Sequence, residues 1–153
     1  MSILRSGMMA AALTLAMAGI ASAEVLRFDL AKTQSCGCCV AYVKRLEARG
    51  HVVEARNLPM ATLIEMKVAS GIPPEMTSCH TSKVAGYTIE GHVPVEDIER
   101  LIAEAPDAIG LAVPGMPVGS PGMEYGDSRD AYDVFLIKKD GTTSVFQSYA
   151  AVE

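Results

Sequence analysis

The 153-residue chain has no tryptophan and few aromatic residues of any kind, and its 13 Lys and Arg are outnumbered by 18 Asp and Glu. An acidic chain of this composition has no basic patch with interleaved aromatics, which excludes nucleic acid as a partner. It has no internal repeat, no low-complexity linker and no long apolar run beyond its first twenty or so residues. Cysteine is scarce too: four in all, of which three fall at Cys36, Cys38 and Cys39 and the fourth at Cys79. A structural disulfide framework spreads its cysteines to close long loops. This chain concentrates them at one point.

What is present begins with a secretory signal pattern. Arg5 supplies a positive start, Met8 to Ile20 an apolar run, and Ala21-Ser22-Ala23 an A-x-A cleavage site. The expectation is a signal peptide over 1–23 and a mature chain from Glu24, exported to the periplasm and with no membrane segment after cleavage. The run is short for a membrane span of ~20 residues, and no Cys follows the cleavage site to carry a lipid. Cleavage removes one basic residue, which leaves 12 against 18 acidic ones and a formal charge of −6. About 130 residues suit one domain, 24–153, with a single core.

Val25 to Leu30 reads as a strand, Cys38 to Arg49 as a helix with Val40, Val43 and Leu46 buried, and His51 to Arg56 as a second strand. Met60 to Ala69 reads as a helix with Leu63, Ile64 and Val68 on its inner face, stopped by Gly71-Ile72-Pro73-Pro74. A polar loop over Glu75–Thr81 precedes a hairpin of Lys83–Ala85 and Tyr87–Glu90. A third helix over Val95–Glu104 follows Pro94, with Ile98, Leu101 and Ile102 apolar. Asp107 to Asp130 is a Gly/Pro-rich loop. Tyr132–Ile137 and Thr143–Tyr149 flank Asp140-Gly141 as a terminal hairpin. The β-α-β-α-β-β-α order predicts an α+β, thioredoxin-like fold, with the cysteine cluster at the start of the first helix.

Thiols at a helix N-terminus serve redox chemistry or bind a soft metal. Thiol–disulfide exchange would use Cys36 as attacking and Cys39 as resolving thiol. Cys38, inside that motif, would divert mixed disulfides, and Ser78-Cys79-His80-Thr81 holds no Pro where such enzymes usually place one. Cu(I) or zinc is the alternative. Adjacent helical residues point about 100° apart, so Cys38 and Cys39 do not converge on one tetrahedral zinc. Bridging thiolates in a multinuclear Cu(I) cluster avoid that problem, and one Cu(I) per thiolate neutralises their charge. His80 beside Cys79, and the thioethers Met116 and Met123 in turns fixed by Pro and Gly, are candidate further ligands. His92 reads as structural and His51 as exposed.

Several segments together resemble a bacterial family known as a predicted metal-binding domain of unknown function, which includes the CopG-type periplasmic copper-resistance proteins. They are Cys36-Gly37-Cys38-Cys39, Ser78-Cys79-His80-Thr81, Gly91-His92-Val93-Pro94, Leu111 to Glu124 with its two Met, and Tyr132-Asp133-Val134. The resemblance spans nearly all of the mature chain. It implies a thioredoxin-like fold with a cysteine-bridged multi-copper cluster on Cys36, Cys38, Cys39 and Cys79. It also implies a copper-resistance role that includes change between Cu(I) and Cu(II), with periplasmic copper-handling proteins as partners. Which of His80, Met116 and Met123 complete the shell stays open, as does the choice between a cluster protein, an oxidoreductase using Cys36 and Cys39, and a mononuclear copper chaperone. The chain shows no motif for an electron acceptor, so catalysis is left open too. One departure is that the nearest aromatic after the cluster is Tyr42.

Overall fold

The computed structural model describes residues 24–153; the expected signal peptide lies outside them. The described chain runs β1 (Arg27–Lys32), α1 (Gly37–Ala48), β2 (Val52–Asn57), α2 (Met60–Ala69), a 3-10 turn (Pro74–Met76), β3 (His80–Val84), β4 (Tyr87–Glu90), α3 (Val95–Glu104), β5 (Ala108–Ala112), β6 (Tyr132–Lys138) and β7 (Thr143–Tyr149). No helix among the described residues is long and apolar enough to cross a membrane. All seven strands form one sheet in the order β2-β1-β3-β4-β5-β6-β7. β1 pairs with β2 in parallel and with β3 antiparallel, and β3–β4 is an antiparallel hairpin. The α+β class and the β-α-β-α-β-β-α connectivity are as expected.

Neighbouring residues of a strand face opposite sides of the sheet, and two apolar clusters follow. Phe28, Leu30, Tyr42, Leu46, Ile89, Ile98, Leu101, Leu111 and Val134 join β1, β4, β5 and β6 to α1 and α3. Ile72, Met76, Ala112 and Ile137 form a smaller cluster. Leu111 and Ala112, consecutive in β5, belong one to each, so the clusters lie on opposite faces.

Several local expectations are corrected. The stretch assigned to loop from Asp107 contains β5, parallel to β4 through Ile89↔Leu111 and antiparallel to β6 through Leu111↔Leu136. Its five residues, with a Gly in the interior, give too little alternation to register as a strand. It makes the terminal hairpin continuous with the main sheet. β3 begins at His80 rather than at Lys83, because Thr81 and Ser82 are polar yet fully buried. The inner face of α1 is Cys39, Tyr42 and Leu46, while Val40 is exposed. In α2 the buried residues are Leu63 and Lys67, and Ile64 and Val68 face outward. A buried lysine at i+4 from Leu63 runs against any apolar template. His51 is buried rather than exposed: its Nδ1 accepts from Leu26 N–H at 3.3 Å.

The β3–β4 connection follows local chemistry. Ala85 and Gly86 have φ of 47° and 86°, the pair of positive values a two-residue hairpin turn needs to match strand twist.

Candidate metal centre

Cys36 is the N-cap of α1, and its sulfur accepts from Cys39 N–H at 3.3 Å. A cysteine sulfur thus occupies the position where Ser, Thr or Asp normally satisfies a first-turn amide. Cys36 and Cys39 are joined by a disulfide, with Cα atoms 5.3 Å apart. Cys38 and Cys79 are free thiols, each half-buried. Cys79 directly precedes β3, and the pairing of β3 with β1 through Lys32↔His80 brings it over the start of α1.

The four sulfurs converge. Cys38 Sγ lies 3.5 Å from Cys36 Sγ and 3.7 Å from Cys79 Sγ, and Cys79 Sγ is 3.5 Å from Cys39 Sγ. Cys79 also joins a second donor group. His92 Nε2 is 3.0 Å and His80 Nδ1 3.4 Å from its sulfur. Within each group, Cys36/Cys38/Cys39/Cys79 and Cys79/His80/His92, the potential ligand atoms all lie within 4.8 Å of one another. Four sulfurs and two imidazoles thus meet at one place, with Cys79 shared.

Second contacts orient the imidazoles. His92 Nδ1 is 2.8 Å from the carbonyl oxygen of Pro121. A carbonyl only accepts, so Nδ1 carries the proton and Nε2 keeps its lone pair toward Cys79, the arrangement typical of metal-ligating histidines. Tyr42 packs against both rings, with centroids 4.6 Å from His80 and 5.6 Å from His92. Its hydroxyl donates to Val93 O at 2.8 Å. The aromatic that seemed a departure from the family pattern is therefore the wall of the site. Among the described residues His80 Nε2 is buried without a hydrogen-bond partner.

Burial sets the protonation states. It holds His80 well below the usual imidazole range, helped by any proton on His92 and by the positive charge of Lys67, and it lowers His92 as well. Both rings are then neutral, the form that ligates. Burial, with the charge of Cys38 next, pushes the Cys79 thiol up to about 12. Without a cation, this pocket keeps Cys79 protonated. A thiophilic cation would displace that proton, since a ligating thiol is deprotonated outright.

The loop from Val113 to Glu124 forms the outer lip. Gly115 N–H donates to Thr77 O at 3.1 Å, and Ser78 Oγ donates to Gly115 O, so the loop is stapled next to Cys79. The neighbouring Met116 places its thioether 3.9 Å from Cys38 Sγ, with 52% of the residue exposed. Gly122 sits on α1 with φ +85°; a Cβ there would come within 2.7 Å of Tyr42 N and 2.9 Å of Cys38 O. Met123 closes the turn through its backbone, N–H to Ser120 O at 2.8 Å. No thiol contact reaches its sulfur among the described residues. The structure thus brings together Cys36, Cys38, Cys39, Cys79, His80 and Met116, leaves Met123 aside, and adds His92. No ligand spacing marks His92; its one signal in the sequence is the Gly91-His92-Val93-Pro94 segment of the family resemblance, and the β3–β4 pairing and the Pro121 carbonyl place it.

Comparison with known proteins gives the family. Two solved forms of a copper resistance protein CopG resemble the chain. Form 1 is 44% identical, with a TM-score of 0.77, over 83% of this chain and 99% of that one. Form 2 is 45% identical, with a TM-score of 0.76, over 82% and 99%. The chain belongs to the CopG family of copper-resistance proteins. Residues 76–123, which run from the turn before Cys79 to the end of the Met loop, also match a family model described as a protein of unknown function, DUF411. No curated protein matches the chain.

Proposed function

We propose that this protein binds several copper ions as Cu(I) on Cys36, Cys38, Cys39 and Cys79, in the periplasm, as part of copper resistance. The observation that carries the reading is the convergence on Cys79 of three further sulfurs and two neutral imidazole nitrogens. Soft thiolates select Cu(I). Cys38 and Cys39 both reach Cys36 and Cys79, contrary to the divergence expected of adjacent helical residues, and Cys38 also lies beside Met116. Thiolates that share neighbours in this way can bridge between ions, and several Cu(I) neutralise four thiolates where one would not. His80 and His92 join as nitrogen ligands and Met116 as an outer thioether; Met123 serves the loop. Nitrogen ligands beside the thiolates suit Cu(II) as well as Cu(I) and support a site that passes between the two states. A thioredoxin-like arrangement of β1–β4 with α1 to α3 presents the site. Residues 1–23 are the export signal, and periplasmic copper-handling proteins are the exchange partners.

Loading needs chemistry at the disulfide. Two electrons from a thiol reductant convert Cys36–Cys39 to two thiols, and Cu(I) then displaces their protons. The disulfide also favours a second reading, a thiol–disulfide oxidoreductase. Cys38 counts against it, since it lies 3.5 Å from Cys36 Sγ and would intercept a mixed disulfide. Cys38→Ser separates the two. The copper reading expects a sharp fall in copper bound per chain with the fold intact. Undiminished copper in Cys38→Ser would rule the cluster out.

A further inference from the structure

Beside the donor groups lies a buried polar network that ligation by the thiols does not itself require. Lys67 of α2 and Glu90 at the end of β4 form an ion pair whose side chains are 6% and 0% exposed. The Lys67 ammonium donates to Thr81 Oγ1 at 2.8 Å, and Thr81 Oγ1 donates to Glu90 Oε2 at 2.6 Å. Glu90 Oε1 accepts from the backbone N–H of Ser78 at 2.7 Å. One carboxylate therefore holds the residue before Cys79 by its main chain and the residue after His80 by its side chain. Gly91 closes the far side: a Cβ there would meet the Ser78 side chain and Val113 O.

Buried ion pairs are poor sources of stability, and apolar residues of similar volume commonly do as well or better. Position accounts for this one. Cys79 is the residue shared by both donor groups, and it lies within the clamped segment. We propose that Glu90 is a positioning residue for the metal centre. Its two oxygens fix Ser78 and Thr81, so that Cys79 Sγ and His80 Nδ1 stay in reach of Cys38, Cys39 and His92, and Lys67 balances its charge. This rests on the reading of Cys79 as a copper ligand.

Two double variants separate position from stability. Lys67→Met/Glu90→Gln keeps an amide oxygen for Ser78 N–H and an amide N–H for Thr81 Oγ1. Lys67→Met/Glu90→Leu keeps the volume and neither bond. Neither strands a buried charge. The Gln variant should melt within about 5 °C of wild type. The Leu variant, which leaves Ser78 N–H and the Thr81 hydroxyl without Glu90, should melt roughly 5–10 °C lower, so both rates are read well below either melting temperature. One readout is the alkylation rate of Cys79 by iodoacetamide in reduced, metal-free protein, resolved by peptide mass spectrometry. The other is the rate of Cu(I) loss from loaded protein to excess bathocuproine.

The Leu variant should raise both rates roughly tenfold, the scale of losing two hydrogen bonds each at the weaker end of the net range, with Cys38 alkylation unchanged. The Gln variant should stay within about twofold of wild type, as retained bonds imply. Equal rates in all three proteins would overturn the proposal. If the Leu variant does not fold, Thr81→Val deletes one arm of the clamp and should raise both rates about threefold; no change there overturns it equally. Should wild-type protein take up no copper while the alkylation difference persists, the copper reading fails and the positioning role stands.

Discussion

Gly122→Ala lifts the Met-bearing loop from α1, and the size of the effect follows from the structure. The new Cβ would stand 2.7 Å from Tyr42 N and 2.9 Å from Cys38 O, both backbone atoms of the first turns of α1, at a φ of +85°. The left-handed conformation costs roughly 1–2 kcal/mol, and forcing a carbon into packed backbone adds about 1–3 kcal/mol. Two links tie the 121–124 turn to residues outside the loop. Arg45 pairs with Glu124 at 2.9 Å with both side chains largely in solvent, worth less than about 1 kcal/mol. His92 Nδ1–H donates to Pro121 O at 2.8 Å, worth about 1 kcal/mol. Together they amount to less than the strain, so the loop yields and the helix does not. The loss is then that of the two links, roughly 1–2 kcal/mol, or a fall of about 3–10 °C in melting temperature for a domain of this size. His92 loses the carbonyl that fixes its tautomer, and the turn that covers the Cys38 backbone lifts away, while Met116 stays held through Gly115. Calorimetry, iodoacetamide labelling of Cys38 in the reduced metal-free protein and copper retention read these three effects. A Gly122→Ala protein that melts within about 1 °C of wild type and labels Cys38 at the wild-type rate would refute the placement of the loop.

Other perturbations address the walls of the site. Tyr42→Phe removes the donor to Val93 O, made at 2.8 Å in a fully buried place. It should cost about 2 kcal/mol, seen by calorimetry as a melting temperature roughly 6–12 °C lower, with copper uptake unchanged because the ring still packs on His80 and His92. His92→Leu deletes the nitrogen nearest Cys79 and should weaken copper retention, measured by chelator competition, while all four thiols remain countable. Acid should destabilise the metal-free protein. Burial depresses both His80 and His92, so below about pH 6.5 the unfolded chain binds protons that the folded one refuses. Stability is then full above that pH and falls with acidification by up to about 1.4 kcal/mol per pH unit for each ring. Denaturant midpoints between pH 5 and 8 measure it, and a midpoint that rises on acidification through this range would contradict the neutral-imidazole site.

The features legible in the sequence are those encoded locally. Cys36-Gly37-Cys38-Cys39 after a strand marks a helix start, Pro94 and the apolar spacing of Ile98 and Leu101 mark α3, and Asp140-Gly141 marks the terminal hairpin. What escaped is encoded by contacts distant along the chain. Lys67 belongs to the inner face of α2 only because Glu90 waits in β4. Thr81 can sit in a central strand only because Lys67 and Glu90 use its hydroxyl. β5 is a strand because β4 and β6 flank it. His51 is buried by its bond to Leu26, and His92 reaches Cys79 because Pro121 turns its ring. A linear pattern carries no trace of these partners. The cysteines were legible because three of them stand together; the histidines were hard to sort because each stands alone.

A copper site built on four thiolates is tested most directly by an anaerobic Cu(I) titration of the fully reduced chain, residues 24–153. Bound copper is counted per chain, and free thiols are counted before and after. Saturation is expected at roughly three to four Cu(I), near one per thiolate, with Cys36, Cys38, Cys39 and Cys79 all protected. Saturation at about one ion or none, with a Cys36–Cys39 disulfide that cycles freely in the presence of copper, would contradict it.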